Sequence, residues 1–133
     1  QGCKSIGHEI MVADDELTVL DLSNNNIGDD GARAMSIALN SKNSLKQLIL
    51  KANNITAYGV FKISEVLAKN KQLTLLDLSD NIIGDSGAKE LAQCLKVNET
   101  LKELRLDSNQ KKKCTKFWYV WKKGNFRGVA EVL

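Results

Sequence analysis

A chain of 133 residues has room for one domain, and 43% hydrophobic with 26% charged residues is the balance of a globular fold rather than a disordered or fibrous one. No apolar run approaches ~18 residues, so no transmembrane helix is expected. The net charge of +3 is unevenly spread: residues 1–109 carry 12 Lys/Arg against 15 Asp/Glu, whereas 110–133 carry 7 basic residues against Glu131 alone.

Residues 1–16 lack the basic-then-apolar pattern of a signal peptide. Ile6, Ile10 and Met11 would share one helical face, which predicts the helix of a preceding, incomplete repeat. From Leu17 a fixed pattern begins. L-x-x-L-x-L-x-x-N occurs at Leu17, Leu20, Leu22 and Asn25, and again at Leu45, Leu48, Leu50 and Asn53. It recurs at Leu73, Leu76, Leu78 and Asn81, and at Leu101, Leu104, Leu106 and Asn109, each time 28 residues on. A fixed period of this length marks a solenoid.

The residue types explain the unit. Leucines two apart, such as Leu76 and Leu78, point to one face of a short strand. The asparagine that ends the strand can pair with backbone groups freed by the turn, so Asn25, Asn53, Asn81 and Asn109 should form a ladder between coils. In the third unit Gly84 and Gly87 bracket a turn, Asp85 or Ser86 is placed to cap a helix, and Ala88, Leu91, Ala92 and Leu95 follow at helical spacing. The first unit shows Ala32, Met35, Ile37, Ala38 and Leu39. The second shows Val60, Ile63, Val66 and Leu67, with Thr56 in place of the turn glycine. The expected fold is an α/β solenoid, a curved parallel sheet inside and helices outside.

With N-x-I-G-D-x-G-A after its strands, the unit resembles the leucine-rich repeat family. The long unit is similar to its ribonuclease-inhibitor-like class, also seen in NOD-like receptors and Ran GTPase-activating proteins. The resemblance covers residues 17–109 as the repeat domain: three full repeats and the start of a fourth. It implies protein recognition by the concave sheet face. The contexts it allows are a repeat protein standing alone, the sensor or autoinhibitory end of a NOD-like receptor, and a regulator of a small GTPase. No clear polar cap stands at either end, so a longer parent array is expected.

The outward strand positions form three ladders: Val19, Gln47, Leu75 and Glu103; Asp21, Ile49, Asp77 and Arg105; Ser23, Lys51, Ser79 and Asp107. Aliphatics among charges of both signs suit a protein-binding surface. The competing reading is a solvated sheet whose charges pair across strands, as Asp77 and Arg105 would.

After Asn109 the pattern breaks. Residues 110–133 hold Phe117, Trp118, Tyr119, Trp121 and Phe126, five of the seven aromatics. From Gly128 the sequence GVAEVL resembles the start of a repeat helix, and if Gly128 stands for the glycine expected at 115, 13 residues are inserted before it. The readings of the segment are an irregular last repeat or improvised cap, foreign sequence, a nucleic-acid-binding tail, and a membrane-surface or partner helix. Nucleic acid is disfavoured, because the basic charge is confined to this tail.

Chemistry finds little support. His8 is the single histidine, and no phosphate loop, H-E-x-x-H or nucleophile elbow occurs. Cys3, Cys94 and Cys114 are odd in number and widely spaced, which argues for a reducing, cytoplasmic setting; Cys94 takes the core position of Ala38 and Val66. Neither catalysis, cofactor nor metal is expected, and the partner should be a protein.

Overall fold

The computed structural model describes residues 16–41, 44–109 and the backbone of 120–122. The preceding-helix reading, His8, Cys3, Cys114 and most of the basic tail, including the Gly128 helix start, lie outside these residues. The described chain alternates strand and helix: β1 (Val19–Asp21), α1 (Gly28–Asn40), β2 (Gln47–Ile49), α2 (Ala57–Leu67), β3 (Leu75–Asp77), α3 (Gly84–Val97), β4 (Glu103–Arg105) and β5 (Val120–Lys122).

The sheet runs β1-β2-β3-β4-β5. The first four strands are parallel and register one repeat apart, Leu20 on Leu48, Leu48 on Leu76, Leu76 on Leu104. The fifth departs from the repeat: it is antiparallel to β4, with Leu104 opposite Trp121. Residues 120–122 of the basic tail therefore add a strand beside β4.

Leucine burial follows from the pattern. Leu48, Leu76 and Leu104 are fully buried, as are Leu50 and Leu78 one pleat further on. The helices close over them with Met35, Ile63 and Leu91, and with Leu39, Leu67 and Leu95. Cys94 is buried among them, and burial pushes its thiol up to about 12, so it is a packing residue rather than a nucleophile. Ile37 departs from the expected apolar face: it is 51% exposed on α1.

The asparagine ladder forms. The Asn81 side-chain oxygen accepts from the backbone N–H of Asn53 at 2.9 Å and of Ile55 at 3.0 Å. Its amide donates to the carbonyls of Leu50, Leu78 and Ser79. Asn53 and Asn109 repeat the scheme in their coils. A second ladder, one repeat apart, joins the helix exits. The Asn98 amide donates to Leu67 O at 2.6 Å, and its oxygen accepts from Thr100 and Leu101 N–H; Asn70 does the same for Leu39, Gln72 and Leu73.

Helix starts differ from expectation. No side chain caps α3, and neither Asp85 nor Ser86 takes that role at its own helix. In unit one the aspartate reaches across coils instead. Asp29 accepts from Thr56 N–H at 2.7 Å, the Thr56 hydroxyl at 2.6 Å and Gly59 N–H at 3.1 Å, at the start of α2. Thr56 also caps its own helix, accepting from Tyr58 N–H at 3.2 Å. The two glycines of unit three have different tasks. Gly84 sits at φ +65, a left-handed turn, while a Cβ on Gly87 would stand 2.2 Å from Ile83 Cγ2.

Candidate protein-binding face

The parallel register assembles two of the expected ladders: Val19, Gln47, Leu75 and Glu103 are successive partners, and Asp21, Ile49, Asp77 and Arg105 follow two residues on. Beyond the strands, backbone bonds from Asn24 N–H to Lys51 O, Ala52 N–H to Ser79 O and Asp80 N–H to Asp107 O carry the alignment on to Ser23, Lys51, Ser79 and Asp107. Three-residue strands suffice, because every side chain that must point outward lies beside a leucine that must point inward. Val19 is 45% exposed, and Asp21, Lys51 and Asp107 are exposed. Gln47, Ile49, Leu75, Glu103, Arg105 and Ser23 are half-buried.

Asp77 and Ser79 do not join this open surface. They are 6% and 4% exposed and bond to each other, Ser79 N–H donating to Asp77 Oδ1 at 2.9 Å. A carboxylate so enclosed needs a counter-charge, and Arg105 Nη1 stands 3.8 Å from Asp77 Oδ2. The same guanidinium bonds Glu103 through Nε at 2.7 Å. The cross-strand pairing that competed with the binding reading is thus present in the last two parallel strands.

The remaining groups are arranged locally. Asp21 accepts from the Ser23 hydroxyl at 2.6 Å and the Ser23 N–H at 2.9 Å, and these bonds hold its carboxyl below the usual range. Lys51 Nζ lies 3.7 Å from Asp80 Oδ2. Asp107 is pushed above the ordinary carboxyl range by desolvation first, then by Asp77 and Asp80. Arg105 is held yet more firmly protonated, chiefly by its bond to Glu103.

Asp80 was not legible as part of this site, because it is outside the strand pattern. Its φ of +55 places it in the tight turn that Asn24, Ala52 and Ser108 occupy in the other coils, and that turn brings its carboxylate to Lys51. On the helical side Tyr58 is 59% exposed and Phe61 40%, with Lys62 Nζ 5.7 and 5.6 Å from their ring centres. Among the described residues no group of three or more His, Cys, Asp or Glu is placed to hold a metal ion, and no helix is long and apolar enough to cross a membrane.

Comparison with known proteins agrees with this architecture. A family described as Leucine Rich repeat matches residues 17–36 and 69–92. No curated protein matches the chain. Among solved structures, leiomodin-1 actin-binding site 2 is similar with a TM-score of 0.76 at 24% identity, over 98% of this chain and 70% of that one. The repeats resemble that family over the matched residues, and the fold, a repeat solenoid of strands and helices, is shared with the solved neighbour.

Proposed function

We propose that the chain recognises a protein partner across the concave face of its sheet, without catalysing a reaction on it. The observation that carries this reading is the register of β1–β4, which sets exposed Val19 and half-buried Ile49 and Leu75 among charged side chains on one continuous surface. A surface of aliphatics rimmed by charge is what partner proteins bury. The solved neighbour carries an actin-binding site in its name, which is said of that protein; no contact in this chain singles out actin. The 28-residue unit with helices of 11 to 14 residues supports the ribonuclease-inhibitor-like class. A reduced, buried Cys94 fits a cytoplasmic setting.

Site-specific photocrosslinking tests the reading. A photoreactive residue at Leu75, on the sheet, is compared with one at exposed Gln93, on α3. A discrete crosslinked partner from Leu75 alone, lost on Val19→Asp, is the expected result. Identical crosslinks from both faces would sink the assignment. Adding the chain to a small GTPase separates a regulator, which would speed GTP hydrolysis, from a module that only binds.

A further inference from the structure

Among the described side chains of the four parallel strands' ladders and turns, carboxylates outnumber cations, and the ion pairs there leave the imbalance standing. Asp21, Asp77, Asp80, Glu103 and Asp107 face Lys51 and Arg105. Both cations are engaged within the fold: Arg105 with Glu103 at 2.7 Å and Asp77 at 3.8 Å, Lys51 with Asp80 at 3.7 Å. The carboxylates beyond these pairs are Asp21 on β1, bonded only to Ser23, and Asp107 just past β4. They stand at opposite ends of the sheet's parallel part, both exposed.

Between them lies an apolar triangle. Val19 and Leu75 flank Gln47 on the two neighbouring strands, and Ile49 lies two residues on from Gln47 on β2. Strand spacing of ~4.8 Å and a rise of ~3.3 Å per residue give the triangle sides of roughly 8 to 10 Å, the footprint of one large aliphatic or aromatic side chain. The same arithmetic puts Asp21 and Asp107 about 16 Å apart.

We propose that this face takes a basic segment of a partner protein, with an apolar side chain in the Val19–Ile49–Leu75 triangle and cations against Asp21 and Asp107. The proposal rests on the concave-face reading and adds the partner's chemistry to it. Among the described ladder side chains an acidic segment would meet Asp21 and Asp107 while Lys51 and Arg105 are already paired, with exposed Lys46 and Lys102 one residue ahead of the ladders, whereas a basic segment would supply Asp21 and Asp107 with ion pairs. Asp107 is suited to the role, since desolvation and two neighbouring carboxylates already disfavour its charge and a partner cation would relieve this. The favourable field also predicts association steered by charge and weakened by salt.

The test uses the whole 133-residue chain and three dye-labelled helix-forming peptides. They share one row of leucines and differ only in net charge, positive, neutral or negative. Fluorescence anisotropy should rank the positive peptide at least about tenfold tighter than the neutral one, with the negative one weakest. Raising salt from about 50 to about 300 mM should remove most of that preference. Asp21→Asn with Asp107→Asn should weaken the positive peptide at least about fivefold, and Val19→Ser should weaken all peptides that bind. Glu90→Gln on the exposed side of α3 should leave binding unchanged.

Equal affinity for all three peptides, still lost on Val19→Ser, overturns the charge selection and leaves the concave face standing. Tight binding of the positive peptide that ignores Asp21, Asp107 and Val19 overturns both, because the peptide then sits elsewhere. Failure of the positive peptide to bind while the neutral one binds also overturns the proposal, as does failure of all three. The photocrosslinking result then decides the concave face separately.

Discussion

A single asparagine shows how much one side chain holds in this fold. Asn81 is 6% exposed and serves two N–H donors and three carbonyls with one amide. Asn81→Ala removes the partner of the Asn53 and Ile55 N–H groups and of the Leu50 carbonyl, while Leu78 O keeps the Asn109 amide and Ser79 O keeps Ala52 N–H, so stability should fall by about 2–4 kcal/mol, read by urea unfolding. A loss below about 1 kcal/mol would show that water replaces the amide. This role was legible in the sequence, because Asn recurs after every strand. The cross-coil cap of Asp29 was not, because its donors at Thr56 and Gly59 lie in the next repeat and one residue type cannot report them. Asp107 carries a prediction of the opposite sign. Its carboxyl is raised in the fold, so the ionised form opposes folding above its folded pKa, and the penalty disappears as pH falls below the unfolded value. Carbon NMR should place its midpoint above 3.8, and Asp80→Asn should lower it. Asp107→Asn should raise the melting temperature slightly at neutral pH while weakening a basic ligand. A midpoint at or below the model-compound value would remove the carboxylate neighbours from the account.

At the scale of the element, short strands and long helices share one core, and the leucines of the strands decide its strength. Leu76 is fully buried between Leu48 and Leu104, so Leu76→Ala should cost about 2–5 kcal/mol in thermal or urea unfolding. An unchanged melt would contradict the register. Strand positions and the inward helix faces were legible because the 28-residue period fixes both at once. Ile37 was misplaced for a simple reason: it lies two residues from Met35, and a helix turns that by about 200 degrees, onto the opposite side. The burial of Asp77 escaped pattern reading too. Its two-residue alternation marks an outward strand position, and only the arrangement of Ser79 and Arg105 around it encloses the carboxylate. Strand β5 was out of reach for another reason. It is antiparallel and stands outside the repeat, so no periodicity announces it.

The whole molecule is an array in which each coil leans on its neighbours, and its two ends are unlike. Leu101, Leu104 and Leu106 at the β4 end are 1%, 0% and 1% exposed, and β5 adds a further strand there. Leu17, Leu20 and Leu22 at the β1 end are only partly buried. Among the described residues the β1 coil has one neighbouring coil and the inner coils have two, and in a nearest-neighbour array each neighbour contributes an interface term. Local opening should therefore begin at β1 and move inward. Backbone bonds let this be read directly. Leu22 N–H donates to Ile49 O at 2.9 Å and Asn24 N–H to Lys51 O at 3.0 Å, whereas Leu50 N–H donates to Asp77 O at 2.8 Å and Ala52 N–H to Ser79 O at 3.0 Å. The geometry is equal, so a difference in exchange reports coil stability rather than bond quality. Amide hydrogen exchange at Leu50 and Ala52 should be at least about tenfold slower than at Leu22 and Asn24, a gap of about 1.4 kcal/mol. Equal protection at all four would mean that the coils open as one unit. The predicted gradient bears on recognition as well, because Val19 and Asp21 sit on the strand that opens first. A partner spanning β1 to β4 would hold that strand in place, and slowed exchange at Leu22 on adding a basic ligand is the signature that links the binding face to the stability of the array.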